Sequence, residues 1–211
     1  ASMSSLFFLF IESHSMWGGN IPSTLAGEFT YSIGLSLSVL FLGTLYKGVK
    51  EKKYIILNSI LLALIGLNHI YTLLFAGFSS FFFLLIKKDL KENLKYLSKI
   101  YIISFLLVSF WLLPMLLKLE YTTSYILRWH ITENLLPKIL IPSIILAIIS
   151  LLLLINRDIR KDKRVYYLLF PIIISLFFYF IAAPVLEVVD IRFIPFIHLF
   201  IIFIGIFALD K

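Results

Sequence analysis

From residue 28 to residue 209 the chain alternates apolar runs with short polar stretches; the runs cover about 28–46, 54–67, 70–86, 99–117, 138–155, 165–183 and 194–209. No soluble core of a 211-residue chain could bury so many apolar side chains, since 61% of its residues are hydrophobic, only 15% are charged and the mean hydropathy is +1.00. The expectation is an all-α, polytopic transmembrane helical bundle of about seven spans, with residues 1–27 as an outer segment and 28–211 as the membrane domain. The 21 Phe and 11 Tyr suit lipid-facing and interfacial positions.

The stretch from Tyr54 to Ile86 admits two readings. As one helix it would rise roughly 50 Å, against a hydrocarbon core of about 30 Å. Split at Asn68-His69, it becomes a hairpin of two short helices. The basic residues choose between them. With the hairpin, the loops 47–53, 87–99 and 156–164 and Lys211 fall on one side and hold 15 of the 19 Lys and Arg. With one long helix the division is 11 against 8. The positive-inside rule therefore predicts the hairpin, a multi-pass protein of the cell membrane, and cytoplasmic basic loops. Helices that barely span border a cavity, because irregular backbone at that depth needs protein or water around it.

On this topology the acidic residues and histidines that do not belong to the basic loops lie on the outer side. Four groups of them are candidates, each with a structural reading beside the functional one. Glu28, in "GGNIPSTLAGEF", stands at the outer start of the first span, where free N–H groups and the helix dipole favour a carboxylate. Pro22 and Ser23-Thr24 suit the first turn and cap of that helix. Ser32 and Ser36, and Gly34 with Ser38, put small residues on its packing faces. Glu28 is then either a cap held by packing or a carboxylate at a cavity mouth. Asn68 and His69 occupy the hairpin tip, as interfacial residues or as a ligand-facing pair. In "LEVVDIRFIPFIH", Arg192 either pairs locally with Asp190 or Glu187 or takes a phosphate through its planar fork; His198 reads as a packing residue. In the loop from Lys118 to Pro137, Tyr121, Tyr125 and Trp129 recur every four residues, as in an interfacial helix. The alternative there is a lid that turns Arg128 and His130 toward a lipid phosphate.

Other features narrow the classes. The +7 net charge sits in short loops between spans, so it reports topology and not nucleic-acid binding. The absence of cysteine excludes disulfides and thiolate metal sites. There is no P-loop, His-Glu zinc signature or GxSxG elbow, and no internal repeat of the kind that builds inverted-repeat transporters. "KKDLKENLKYLSK" reads as a basic surface helix with Leu90, Leu94 and Leu97 on one face, lying on an anionic leaflet. The opening "ASMSSLFFLFIESHS" has no basic n-region and too short an apolar run for a signal peptide. It reads as a chain entered partway, with a native start at Met3 as the alternative.

Gly18-Gly19, the run from Ser23 to Phe29 and its serine-rich continuation, "LNH" before a short helix and "RFIPF" before the last span together carry a resemblance. The chain resembles the membrane proteins related to 6-pyruvoyl-tetrahydropterin synthase over most of its length. Soluble pterin synthases use a three-histidine zinc site, and no such motif is recognisable here. The resemblance implies instead a place in the GT-C-like class, whose characterised members take a sugar from a polyprenyl-phosphate carrier at the outer face. Those enzymes keep an essential carboxylate in the first outer loop, a part that is missing here or reduced to Glu12.

Such an enzyme needs a carboxylate as base, and Arg or a divalent metal ion for the leaving phosphate. Glu28 or Glu12 would serve as the first and Arg192 or Arg128 as the second; ligands for a metal are not assignable. The partners expected are membrane lipids, a polyprenyl-phosphate sugar donor, and a membrane protein or upstream region of the same chain. Two further readings stay open: a transporter or lipid-handling protein, and a non-catalytic subunit.

Overall fold

A computed structural model describes residues 6–13, 15–86, 89–121, 135–155 and 160–209. Among the described residues all regular structure is helical. The chain divides into two compact units: Thr30–Tyr125, and Ala1–Phe29 together with Ile126–Lys211.

Among the described residues the first unit holds four helices: α3 (Phe29–Glu51, which begins at the boundary), α4 (Ile55–Asn68), α5 (Ile70–Ser80, running on as a 3₁₀ turn Phe81–Leu85) and α6 (Leu90–Leu117). The 54–86 stretch is broken by one extended residue, His69, at φ −159° and ψ 129°. Contacts with α3 fix the direction of each arm. Thr44 of α3 bonds Asn58 of α4 (2.6 Å), and the rings of Tyr46 and Phe83 lie 6.2 Å apart. At the other end of α3, Ser38 Oγ lies 3.4 Å from the Thr72 carbonyl, just after the break. Both arms therefore run along α3 in opposite senses, and the break is the tip of the predicted hairpin.

Small residues permit this packing. A Cβ on Gly34 would collide with Thr72, and one on Gly48 with Tyr96 and the Lys53 carbonyl. α6 then joins both arms: Ser104 Oγ donates to the Ser59 carbonyl (2.9 Å) and Tyr101 to the Gly77 carbonyl (2.8 Å). Such interhelical bonds substitute for water that the bilayer lacks. Between the arms and α6 lies an apolar groove of about 250 Å³, lined among others by Leu62, Leu74, Phe78, Phe105 and Leu112.

The expected surface helix over 90–97 does not exist as a separate element. Leu97 is buried while Leu90 and Leu94 are exposed, so the three leucines do not form one lipid-lying face. No glycine or proline interrupts Leu90 to Leu113, and the basic segment continues directly into the span as a single 28-residue helix.

The second unit contains α1 (Leu6–Leu9), α2 (Ile21–Leu25), α7 (Ile141–Leu153), α8 (Lys163–Phe177), α9 (Ala183–Leu186) and α10 (Ile194–Leu209). A π-turn, Phe178–Ala182, joins α8 to α9 ahead of Pro184. Proline cannot donate to the carbonyl four residues back, and a widened turn absorbs that loss. α10 packs on α7 and α8. Ser150 Oγ reaches the Ile204 carbonyl (2.5 Å), and Gly205 lets the Ser143 carbonyl come close. The rings of Phe178 and Phe193 stack at 4.7 Å.

Among the described residues four helices are long and apolar enough to cross a membrane: Phe29–Glu51, Leu90–Leu117, Lys163–Leu186 and Asp190–Phe207. Three more, Ile55–Asn68, Ile70–Leu85 and Lys138–Leu153, are apolar but shorter. The expected seven spans thus become four candidate spans and three short apolar helices, since 14 to 16 residues rise only about 21–24 Å. Burial separates their roles. The Asp190–Phe207 span is 78% buried and the Leu90–Leu117 span only 11%. α6 accordingly turns Leu106, Phe110 and Leu117 outward.

Candidate functional site

Glu28 and Arg192 both belong to the second unit, and the turns that position them are written locally. Asn20 accepts from the Ser23 amide (3.0 Å) and so caps α2, with Pro22 in its first turn. The Asn20 amide also donates to the Ile11 carbonyl (2.6 Å), tying the preceding loop down. Ser23 is the hub: its hydroxyl accepts from the Gly18 amide (3.1 Å) and its carbonyl from the Glu28 amide (3.0 Å). Gly27, at φ +108°, makes the turn that ends this segment. Pro22 and Ser23-Thr24 therefore do not cap the first span, as the sequence pattern predicted. They build a separate helix, and the span starts at Phe29 with Glu28 just before it, where the helix dipole favours a carboxylate.

Arg192 lies in a 3₁₀ turn, Asp190–Phe193, that opens α10. Asp190 is buried and accepts from the Ile191 amide (2.8 Å). Arg192 reaches across 164 positions of sequence to form a charge-assisted bond with Glu28. The pair is largely enclosed, with 15% of the arginine and 19% of the glutamate side chain exposed. The bond to Glu28 gives Arg192 a long-range partner that the local reading, with Asp190 or Glu187, did not include.

His198 is buried on α10 in the same unit. Its ring stacks with Trp17 at 6.4 Å and 19°, and its Nε2 donates to the Leu135 carbonyl at 2.6 Å. That bond fits the packing role read for His198. A cavity with room for about one water lies among Phe8, Ile11, Trp17, Asn20, Pro195 and His198. The sequence patterns did not single out Asn20 or Ser23 as the residues that hold the site together. The only signal there was the capping pattern at Ser23-Thr24, which was read for the first span.

The other candidates are placed as follows. Glu12 is exposed in the loop after α1. Asn68 and His69 lie in the first unit. Asn68 bonds back to the Leu64 carbonyl (2.8 Å), and His69 sits 5.0 Å from the Tyr31 ring and 5.5 Å from that of Tyr71. Arg128, His130 and the Tyr125–Trp129 part of the interfacial helix fall outside the described residues.

Among the described residues no three His, Cys, Asp or Glu side chains stand close enough together to hold a metal ion. The chemistry on view is that of an enclosed carboxylate–guanidinium pair in an otherwise apolar membrane chain. No curated protein and no solved structure matches the chain. A family model, the 6-pyruvoyl-tetrahydropterin synthase related domain of membrane proteins, matches residues 1–211. The chain therefore belongs to this family of 6-pyruvoyl-tetrahydropterin synthase-related membrane proteins.

Proposed function

We propose that this membrane protein is a GT-C-like glycosyltransferase of seven spans, or a portion of one, that uses a polyprenyl-phosphate-linked sugar at the outer face. The observation that carries the reading is the Glu28–Arg192 pair, which joins one carboxylate and one guanidinium in a largely enclosed site. In the resting protein each neutralises the other. An arriving phosphate competes with Glu28 for the planar fork of Arg192. The freed carboxylate then takes the proton of the acceptor hydroxyl while that oxygen bonds to the sugar C1. The C1–O bond to the carrier breaks, its electron pair stays on the phosphate, and Arg192 holds the developing charge.

A second reading, a lipid-handling protein without covalent chemistry, draws on the apolar groove of about 250 Å³ beside the hairpin, a surface of the kind a prenyl chain occupies.

Binding of unsugared polyprenyl phosphate to the purified full-length protein tests the exchange. Arg192→Lys should weaken it by roughly tenfold, through loss of the fork. Glu28→Gln should bind at least as tightly as wild type, because the competing carboxylate is gone. Equal binding by all three proteins would overturn the proposal.

A further inference from the structure

At the basic end of the first unit, four lysines converge on a pocket of about 330 Å³: Lys52 from the turn between α3 and α4, and Lys91, Lys95 and Lys99 from α6. We propose that this pocket is a binding site for a phosphate group, carried by an anionic membrane lipid or by a free phosphorylated solute.

The charge count is one-sided. Glu92 is the only acid lining the pocket among the described residues and stands 3.8 Å from Lys52. Among the described residues no carboxylate pairs with Lys91, Lys95 or Lys99. Those three recur at every fourth position of one helix, an arrangement in which like charges repel. An anion between them turns the repulsion into attraction. A solvated basic face would need no concavity and no fixed geometry, and this pocket has both.

Its geometry is built. The Tyr96 hydroxyl, on the pocket wall, donates to the Lys53 carbonyl (2.5 Å) and accepts from Asn58 Nδ2 (3.1 Å). Asn58 accepts in turn from Thr44. Asn93 donates to the Phe83 carbonyl (2.9 Å) and accepts from Lys52 Nζ (3.2 Å), so the ammonium is held against α6. Lys52 itself has φ +56°, at the end of α3 where the Lys53 amide bonds back to the Gly48 carbonyl. Glycine normally fills that left-handed position because it carries no Cβ. Here a lysine holds it, and the strain is borne by the residue whose charge enters the pocket. Ile55 also lines the pocket, and its sequence neighbour Ile56 and the Leu94 next to Lys95 are exposed apolar residues.

The test uses the full chain in nanodiscs, with phosphatidic acid against phosphatidylcholine, and inorganic phosphate as competitor. Wild type should bind phosphatidic acid preferentially, and the Lys91→Gln/Lys95→Gln/Lys99→Gln protein should lose affinity by about a hundredfold, the effect expected for three interfacial charges. Lys52→Gly should bind more weakly while melting at or above the wild-type temperature, an opposition that a merely structural lysine would not give. Lys47→Gln, on the same end but outside the pocket, should bind like wild type. Displacement by inorganic phosphate assigns the site to free solutes, and retention of the lipid against it assigns the site to lipid; either outcome supports the proposal. No preference for phosphatidic acid and no phosphate binding, or equal losses in Lys47→Gln and the triple variant, would overturn it.

Discussion

Glu28 and Arg192 are held as a pair whose cost of separation is high because both are mostly shielded from water. Removing one partner leaves the other as an enclosed, uncompensated charge. Glu28→Gln or Arg192→Gln alone should lower stability by about 1–3 kcal/mol, less than the 3–5 kcal/mol of a fully buried pair. The double variant should recover part of that loss, and a double-mutant cycle of melting temperatures in detergent checks it. The sequence marked both residues but not their union. Glu28 was legible from its place at the start of the first span, and Arg192 from its place beside a proline-bearing span. Their 164-residue separation is a tertiary fact that no local pattern encodes. Ser23 was read as a cap of the first span for a related reason. Capping chemistry is recognisable in sequence, while the left-handed turn at Gly27 that detaches the cap from the span is visible only as one more glycine.

The hairpin of α4 and α5 was the most legible element, because charge bookkeeping is global where hydropathy is local. A 33-residue apolar stretch does not announce its own break, yet the lysines on either side of it do. The basic helix over 90–97 shows the opposite case. Its leucine spacing fits a surface helix, but nothing in the sequence stops it, and continuation into the span leaves no backbone group unpaired. Packing within the first unit makes a sharp contrast between two glycines of α3. Gly34→Leu should cost about 1–3 kcal/mol by driving a side chain into Thr72. Gly43 faces open space, so Gly43→Leu should be neutral or stabilising, glycine being about 1 kcal/mol worse than good helix formers. Thermal melting of the two variants side by side decides it; equal destabilisation would show that α3 does not rest on α5 through this contact.

For the whole molecule, the membrane class and the family are established by composition and by the full-length family match. The positive-inside rule adds a direction. A cysteine replacing exposed Ala26, just ahead of α3, should react with an impermeant reagent in intact cells, while one replacing exposed Lys50, at the far end of the same helix, should react only after lysis. The reverse pattern would invert the topology and move Glu28 to the inner face. The most direct test of the central claim is sugar transfer by the full-length protein in sealed vesicles, with a polyprenyl-phosphate sugar supplied on the Ala26 side. Wild type should transfer, and Glu28→Gln should fall by roughly 10²–10⁴, the usual contribution of a general base, while remaining folded. Undiminished transfer by Glu28→Gln, or none by the wild-type protein from any such donor, would contradict it.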